Sequence, residues 1–247
     1  MRILILGGTG EASALVRGLG SRAGLSVTLS LAGRTAAPAR EPVPTRIGGF
    51  GGAEGLARYL RAHAIDRLVD ATHPFAARIS RNAAAAAAET GVPLLAIRRP
   101  PWIRQAGDAW IEVDTIAQSV DALGVDPKTV FLTVGRMEVA AFANAPQHDY
   151  VVRTIEPLGE AMPVPRLTAI RARGPFDEAA ETVLMREAGI AVLVTKNAGG
   201  NATYGKIAAA RVLGLPVVIV RRPWKPDVPS VADAEAALDR LSGTARG

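Results

Sequence analysis

The segment ILILGGTGEASAL, residues 3–15, carries the pattern from which the fold is predicted. β-Branched and Leu residues are followed by a glycine-rich turn and then by helix-like sequence, which is the order of a strand–turn–helix unit. The segment VFLTVGRMEVAAF, residues 130–142, has the same order, with Ile3 aligned on Val130 at an offset of 127 residues. This repeat predicts a second α/β half in the C-terminal part of the chain.

A longer repeat supports two similar halves. Residues 72–100, THPFAARISRNAAAAAAETGVPLLAIRRP, align without gaps on residues 195–223, TKNAGGNATYGKIAAARVLGLPVVIVRRP. Alternating strands and helices predict parallel sheets. We expect an α/β protein of two Rossmann-like, doubly wound halves with mainly parallel sheets and an interdomain cleft, divided into residues 1–125 and 126–247. Because any two strand–helix units look alike at this level, a chance likeness of the halves stays open.

The predicted elements follow this alternation. Strands are expected at residues 2–6, 26–31, 67–71, 93–97, 130–134, 149–154, 190–195 and 216–220. Helices are expected at residues 9–22, 53–63, 74–90, 137–143, 175–188, 203–213 and 231–241. In such sheets ligands bind beyond the carboxyl ends of the strands, so the functional residues are sought in the loops there.

Composition restricts the class of protein. The 247 residues are 49% hydrophobic and 21% charged, which is typical of a globular chain and argues against disorder. No apolar run is long enough for a membrane span or a signal peptide, so we expect a cytoplasmic protein without a membrane partner. With no Cys and three His, disulfides, thiolate chemistry and a metal site are not expected.

The net charge of +6 favours an anionic partner. Nucleic acid is disfavoured, because aromatic residues make up only 4% of the chain and no Lys/Arg-rich block is present. A small polyanionic ligand fits better. No Ser-His-Asp spacing, Walker loop or metal motif appears, so the sequence contains no motif that would indicate hydrolysis or phosphoryl transfer.

The first glycine turn and the end of the second strand predict a cofactor site. Gly8, Thr9 and Gly10 follow a strand and open a helix, where backbone N–H groups approach a dinucleotide pyrophosphate, although a plain capped turn is the alternative. Arg34 and Thr35 stand where an NAD-binding fold presents an acidic residue to the ribose. A guanidinium there favours the 2′-phosphate of NADP(H), unless Arg34 is a solvated surface residue.

Other candidates lie at later strand ends. His73 follows a predicted strand and is a candidate for binding nicotinamide or substrate, although a lone His is more often structural. In the second half, Gly135-Arg136 takes the place of Gly8-Thr9, and Lys196, Asn197 and Tyr204 lie in or after another strand-end loop. These residues suit a polar ligand, with solvated loop charges as the alternative.

Taken together, these motifs resemble the precorrin-6A reductases of cobalamin biosynthesis. The resemblance rests on ILGGTGEA at 5–12, GGFGG at 48–52, DATHPFA at 70–76 with IS at 79–80, VFLTVGR at 130–136, KNAGG at 196–200, TYGKI at 203–207 and VRRP at 220–223. It runs from residue 3 to about residue 225 and is specific in order and spacing rather than in any one motif.

The resemblance implies reduction of the C18=C19 double bond of the precorrin macrocycle with NADPH, with hydride to C19 and a proton to C18. The first half would hold NADPH through Gly8, Thr9, Gly10, Arg34 and Thr35. Arg136, Lys196, Asn197 and Tyr204 would face the carboxylate arms of this polycarboxylate tetrapyrrole. His73, Tyr204, Lys196 and water all remain candidates for the proton donor. Two alternatives are a non-enzymatic NADP(H)-sensing or scaffold protein and an NADP-dependent reductase of another substrate.

Overall fold

A computed structural model describes residues 1–33, 40–159 and 164–243. The chain divides into two units: the first comprises Met1–Pro100 with Pro223–Gly247, and the second comprises Pro101–Arg222. Within the described ranges, no helix is both long and apolar enough to cross a membrane. The same ranges hold no group of three His, Asp or Glu residues arranged to bind a metal ion.

The first unit is built on a six-stranded sheet in which every pairing is parallel. Its strands are β1 (Arg2–Leu6), β2 (Ser26–Leu31), β3 (Thr45–Ile47), β4 (Arg67–Asp70), β5 (Leu94–Ile97) and β12 (Ser230–Val231), and their order is β12-β5-β4-β1-β2-β3. Its helices are α1 (Gly10–Leu19), α2 (Gly52–Ala62), α3 (Ala77–Thr90) and α8 (Ala234–Gly243).

Alternate residues of β1 pack into two separate hydrophobic cores. Ile3 and Ile5 pack with α1 and α8, whereas Leu4 and Leu6 pack with α2 and α3. All four side chains are buried. A strand covered on both faces needs a continuous apolar run rather than an alternating pattern, and this explains the sequence Ile-Leu-Ile-Leu. The alanines of α3 at positions 83, 86 and 87 are buried against α2, where their small size permits close helix contact.

The second unit repeats this architecture. Its strands are β6 (Ala109–Val113), β7 (Thr129–Leu132), β8 (Asp149–Thr154), β9 (Leu167–Arg171), β10 (Val192–Lys196) and β11 (Pro216–Val220), in the all-parallel order β6-β11-β10-β7-β8-β9. Its helices are α4 (Ile116–Asp121), α5 (Arg136–Val139), α6 (Glu178–Glu187) and α7 (Gly205–Val212), with a 3-10 helix at Ala140–Asn144. Val130 and Leu132 face one core and Phe131 faces the other, as in β1.

The expected fold class, two halves with parallel sheets and flanking helices, is confirmed. All eight predicted strands are present, four of them with the predicted ends. The seven predicted helices are also present with shifted ends, the one predicted at 137–143 as α5 followed by a 3-10 helix. Sequence reasoning missed β3, β6, β9, β12 and α4. Each of the missed strands lies at an edge of its sheet and is short or largely exposed, so it lacks the apolar run that marks a central strand.

The boundaries between the two units differ from the boundary at residues 125 and 126 that was expected from the sequence. Residues 101–125 belong to the second unit because β6 pairs with β11, and the last segment returns to the first unit because β12 pairs with β5. β6, which follows β5 in the chain, is thus an edge strand of the second sheet, and β12, which follows β11, is an edge strand of the first. The two Arg-Arg-Pro segments of the repeat, at 98–100 and 221–223, contain or adjoin these two crossings.

Candidate active site

The first unit has its topological switch point between β1 and β4. From β1 the chain proceeds outward to β2 and β3 and then returns to the other side at β4. The two strands end in register, with Leu6 opposite Asp70. The loops that follow are joined by a hydrogen bond in which Thr9 Oγ1 donates to the carbonyl of Ala71 at 2.8 Å. Ligands of open α/β sheets bind at such a point, so the loop after β1 is the first candidate site.

The glycine turn after β1 has the shape of a phosphate-binding loop. A Cβ on Gly7 would lie 2.5 Å from Leu29 Cδ1, so the backbone packs closely on the neighbouring strand. Gly8 has φ +105°, and a Cβ at Gly8 or Gly10 would meet no atom within 4 Å. Thr9 caps α1 by accepting a hydrogen bond from Ala12 N at 3.2 Å. The turn therefore offers open backbone at the start of a ten-residue helix, and it fits a dinucleotide pyrophosphate.

Glu11 follows this turn and is neutralised by a residue that sequence reasoning missed. Arg99 Nη1 donates to both carboxylate oxygens of Glu11, at 2.7 and 3.0 Å. Burial acts to raise the pKa of Glu11, but the hydrogen bonds and charge of Arg99 outweigh it, and the pKa lies below its ordinary value. The acid beside the turn is thus paired with a cation, which reduces its repulsion of a phosphate.

Two cofactor candidates, Arg34 and Thr35, lie outside the described residues. The preceding Gly33 has φ +75°, and a Cβ there would lie 3.1 Å from Ile47 Cγ2.

His73 lies in the loop after β4, two residues beyond Ala71. Its Nδ1 accepts a hydrogen bond from Phe75 N at 3.2 Å, and its carbonyl accepts one from Lys225 Nζ at 3.0 Å. The start of the loop is held by Asp70, which is fully buried and accepts hydrogen bonds from Thr72 Oγ1 at 2.6 Å and Arg98 Nη2 at 2.7 Å. Burial acts to raise the pKa of Asp70. The Arg98 charge and the hydrogen bonds to the carboxylate lower the pKa by a larger amount, so the net shift is downward. The structure therefore brings His73 and Thr9 to the same switch point.

The second unit has its switch point between β7 and β10. Lys196 Nζ donates to both oxygens of Glu138, at 3.0 and 2.7 Å, and Gly135 N donates to Glu138 Oε2 at 2.6 Å. Glu138 was missed, although the offset of 127 aligns it with Glu11. Arg136 is exposed and donates to the carbonyl of Pro157 at 3.2 Å. Arg136, the first residue of α5, and Lys196, the last residue of β10, thus lie at one edge of the sheet.

Asn197 and Tyr204 bind partners within the second unit. The Asn197 side chain accepts from Trp102 N at 2.8 Å and donates to the Trp102 carbonyl at 3.0 Å. The Tyr204 hydroxyl accepts a hydrogen bond from Arg211 Nη2 at 2.6 Å, and Arg211 Nε donates to Asp108 at 2.8 Å. The Asn197 amide therefore fixes the segment that enters the unit, and the Tyr204 hydroxyl is directed to Arg211 rather than to Lys196.

Lys206 is a further titratable residue of the second unit. It lies in the first turn of α7 and is 4% exposed, with Nζ 5.1 Å from the centre of the Trp102 ring. Burial lowers the pKa of Lys206 to about 7, an effect that the Arg153 charge strengthens and the Glu181 charge opposes. Arg153 and Glu181 form a buried ion pair beside it.

Sheet order and the glycine turn at the first switch point define an α/β protein of the Rossmann type. The chain belongs to the precorrin-6x reductase CbiJ/CobK family, whose model matches residues 2–242. It is 53% identical to a precorrin-6A reductase of Sinorhizobium sp over 241 residues, covering 98% of this chain and 92% of the relative. Identity to the Rhodobacter capsulatus precorrin-6A reductase is 46%, covering 98% and 96%.

A solved structure described as CobK precorrin-6A reductase superposes with a TM-score of 0.93 at 46% identity, covering 98% of this chain and 96% of that one. Similarity at this level over almost the whole length extends to the class of reaction. The chain is an oxidoreductase, and as a reductase of this family it needs a nicotinamide cofactor.

Proposed function

We propose that this chain is an NADPH-dependent precorrin-6A reductase of cobalamin biosynthesis. The observation that carries the proposal is the open glycine turn at the first switch point, in a chain that matches precorrin-6A reductases end to end. In the proposed reaction NADPH supplies a hydride to C19 of the macrocycle and a proton adds at C18, which reduces the C18=C19 double bond.

The first unit would hold the cofactor. Gly8 and Gly10 leave room for the pyrophosphate at the start of α1, and Thr9 fixes the turn to the neighbouring loop. Arg99 offsets the Glu11 charge at this position. Arg34 and Thr35 remain the proposed contacts of the 2′-phosphate, because that position in a Rossmann sheet separates NADP from NAD.

The second unit would bind the polycarboxylate substrate. Arg136 presents an exposed guanidinium, which suits bidentate binding of a carboxylate. Lys196 ends β10 and its ammonium group is paired with Glu138, so its contribution to substrate binding depends on that ion pair. Asn197 and Tyr204 would act mainly by holding the loop in place. His73, Tyr204, Lys196 and water stay the candidates for the proton donor.

The test is anaerobic incubation of the purified protein with precorrin-6A and NADPH, and then with NADH. The macrocycle absorption should change and the product should gain two hydrogen atoms in mass, with NADPH preferred. Arg34→Ala should reduce the preference for NADPH over NADH by about tenfold or more, since a lost charged phosphate contact costs about 1.5–3 kcal/mol. Tight binding of NADPH with no change in the macrocycle would overturn the proposed substrate.

A further inference from the structure

The two switch points carry aligned turns of different chemistry. At the offset of 127, Gly8, Thr9 and Gly10 align with Gly135, Arg136 and Met137. Both turns follow the central strand of their sheet. In the first turn, Gly10 has no side chain and its surroundings are open. In the second turn, Met137 places a thioether side chain at that position, and the side chain is 77% exposed.

The second turn is fixed by its own ion pair and is not a phosphate cradle. The N–H of Gly135, which could face an anion, donates instead to Glu138. A Cβ on Gly135 would lie 2.8 Å from Glu138 Oε2, so the missing side chain is what admits the carboxylate. Lys196 binds the same carboxylate from the end of β10. The Glu138 carboxylate is thus held by Gly135 and Lys196, and the exposed side chains of this turn are those of Arg136 and Met137.

We propose that Met137 is a further substrate-binding residue, whose side chain packs on the apolar face of the macrocycle while Arg136 binds a carboxylate arm. The inference rests on the proposed function and deepens it. A tetrapyrrole with acetate and propionate arms is a broad apolar ring edged by negative charges. An exposed apolar side chain next to an exposed cation matches both parts of that molecule, at the edge of the sheet where ligands bind.

Methionine suits this role because its flexible, polarisable side chain adapts to an irregular apolar surface. Two other exposed apolar residues of this unit, Val125 and Val212, do not share the position. Val125 precedes the start of β7, and Val212 ends α7 ahead of β11, so both lie towards the amino ends of the strands. They serve as matched controls, since each is an apolar residue with more than half of its surface exposed.

The test compares Met137→Ser, Met137→Leu and Val212→Ser in the full chain. Dissociation constants for precorrin-6A are measured anaerobically from the macrocycle absorption, and those for NADPH from its fluorescence. Met137→Ser should weaken precorrin-6A binding about tenfold, as expected for an apolar side chain that loses its buried contact. Met137→Leu should stay within about twofold of the unsubstituted chain, because its apolar volume is similar. Val212→Ser should have no effect, and NADPH binding should be the same in all three.

The outcomes separate this inference from the proposed function. Precorrin-6A binding that is undiminished in Met137→Ser, in a protein that reduces precorrin-6A, would overturn the role of Met137 alone. An equal loss in Val212→Ser would also overturn it, since the effect would then not belong to the edge of the sheet. If the unsubstituted chain neither bound nor reduced precorrin-6A, the proposed function would fail and this inference with it.

Discussion

Gly8 shows how one residue can serve the backbone and a ligand at once. Its φ of +105° is unfavourable for any residue with a Cβ, and the space around its Cα is open. Gly24 has φ +78° and equally open surroundings, but it lies in the turn before β2, at the amino edge of the sheet. The two glycines therefore carry a similar backbone requirement, and we propose that only Gly8 also contacts a cofactor.

Gly8→Ala and Gly24→Ala should each lower the free energy of unfolding by about 1–2 kcal/mol, because alanine is strained at positive φ. Only Gly8→Ala should also weaken NADPH binding, by about tenfold, since the turn cannot keep its shape near the pyrophosphate. Urea unfolding and NADPH fluorescence titration measure the two effects. Equal NADPH affinity in both variants would show that the turn is structural only.

Lys206 predicts a dependence of stability on pH. Its pKa falls from 10.5 to about 7 on folding, so between these values the unfolded chain holds a proton that the folded chain lacks. By linkage, this group makes stability rise as pH increases from about 7 towards 10.5, with a slope of at most about 1.4 kcal/mol per pH unit.

Lys206→Met should flatten the slope of stability against pH and raise the free energy of unfolding at pH 7, because the cost of burying the amine disappears. Lys128→Met is the control: Lys128 is only half-buried and its Nζ donates to the Leu123 carbonyl, so its removal should leave the slope in place. The measurement is urea unfolding at a series of pH values from 7 to 10. An unchanged slope in Lys206→Met would contradict the assignment.

At the scale of elements, the start of α7 is packed against the segment that leads into α6. A Cβ on Gly205 would lie 2.5 Å from the carbonyl oxygen of Phe176 and 2.7 Å from the carbonyl carbon of Asp177. Both are backbone atoms, and Asp177 caps α6 by accepting from Ala180 N at 2.8 Å, so neither can move cheaply.

Gly205→Ala should therefore lower the free energy of unfolding by about 2–3 kcal/mol, within the usual range for overpacking. Gly49→Ala, where a Cβ meets nothing within 4 Å, should change it by less than about 0.5 kcal/mol. Chemical denaturation of both variants compares them directly. A loss below 1 kcal/mol in Gly205→Ala would mean that the α6 and α7 starts can separate at little cost.

The elements also show which parts of this fold can be read from sequence. Central strands such as β1 and β10 are buried on both faces and carry unbroken apolar runs, so their positions were predicted. β12 has two residues and β9 is mostly exposed, so neither shows the run of apolar residues that predicts a strand. Which sheet an edge strand joins depends on pairing between distant residues, and no local pattern records it.

In the candidate site, too, a contiguous motif was predicted and contacts between distant residues were missed. The glycine turn was predicted because a phosphate loop is contiguous in sequence, at Gly8 to Gly10. The partners of Glu11 and Lys196 were missed because Arg99 and Glu138 come from other strand ends, 88 and 58 residues away. Only the repeat at offset 127, which places Glu138 on Glu11, contained a signal for the second pair.

At the scale of the whole molecule, the first sheet obtains its sixth strand, β12, only after the chain has passed through the second unit. The first unit therefore depends on the last residues of the chain. Ala237 and Leu241 of α8 are buried with Ile3, Ile5 and α1, and β12 completes the sheet beside β5. The second unit is contiguous, from Pro101 to Arg222, and carries no part of its sheet beyond those limits.

A chain ending at Arg222 should lose the first unit and keep the second. Removal of β12 and α8 exposes the α1 face of the first sheet, a loss of several buried apolar side chains at about 1.5–3 kcal/mol each. NADPH binding should disappear, because its proposed site lies on that sheet. Trp102 and Trp110 are buried in the second unit, and truncation removes Trp224, so tryptophan fluorescence should still report a cooperative thermal transition.

A chain ending at Gly243 keeps all of α8 and should bind NADPH normally. Retained NADPH binding by the chain ending at Arg222 would show that the sixth strand and its helix are dispensable. Loss of the fluorescence transition would show that the second unit cannot fold without the first.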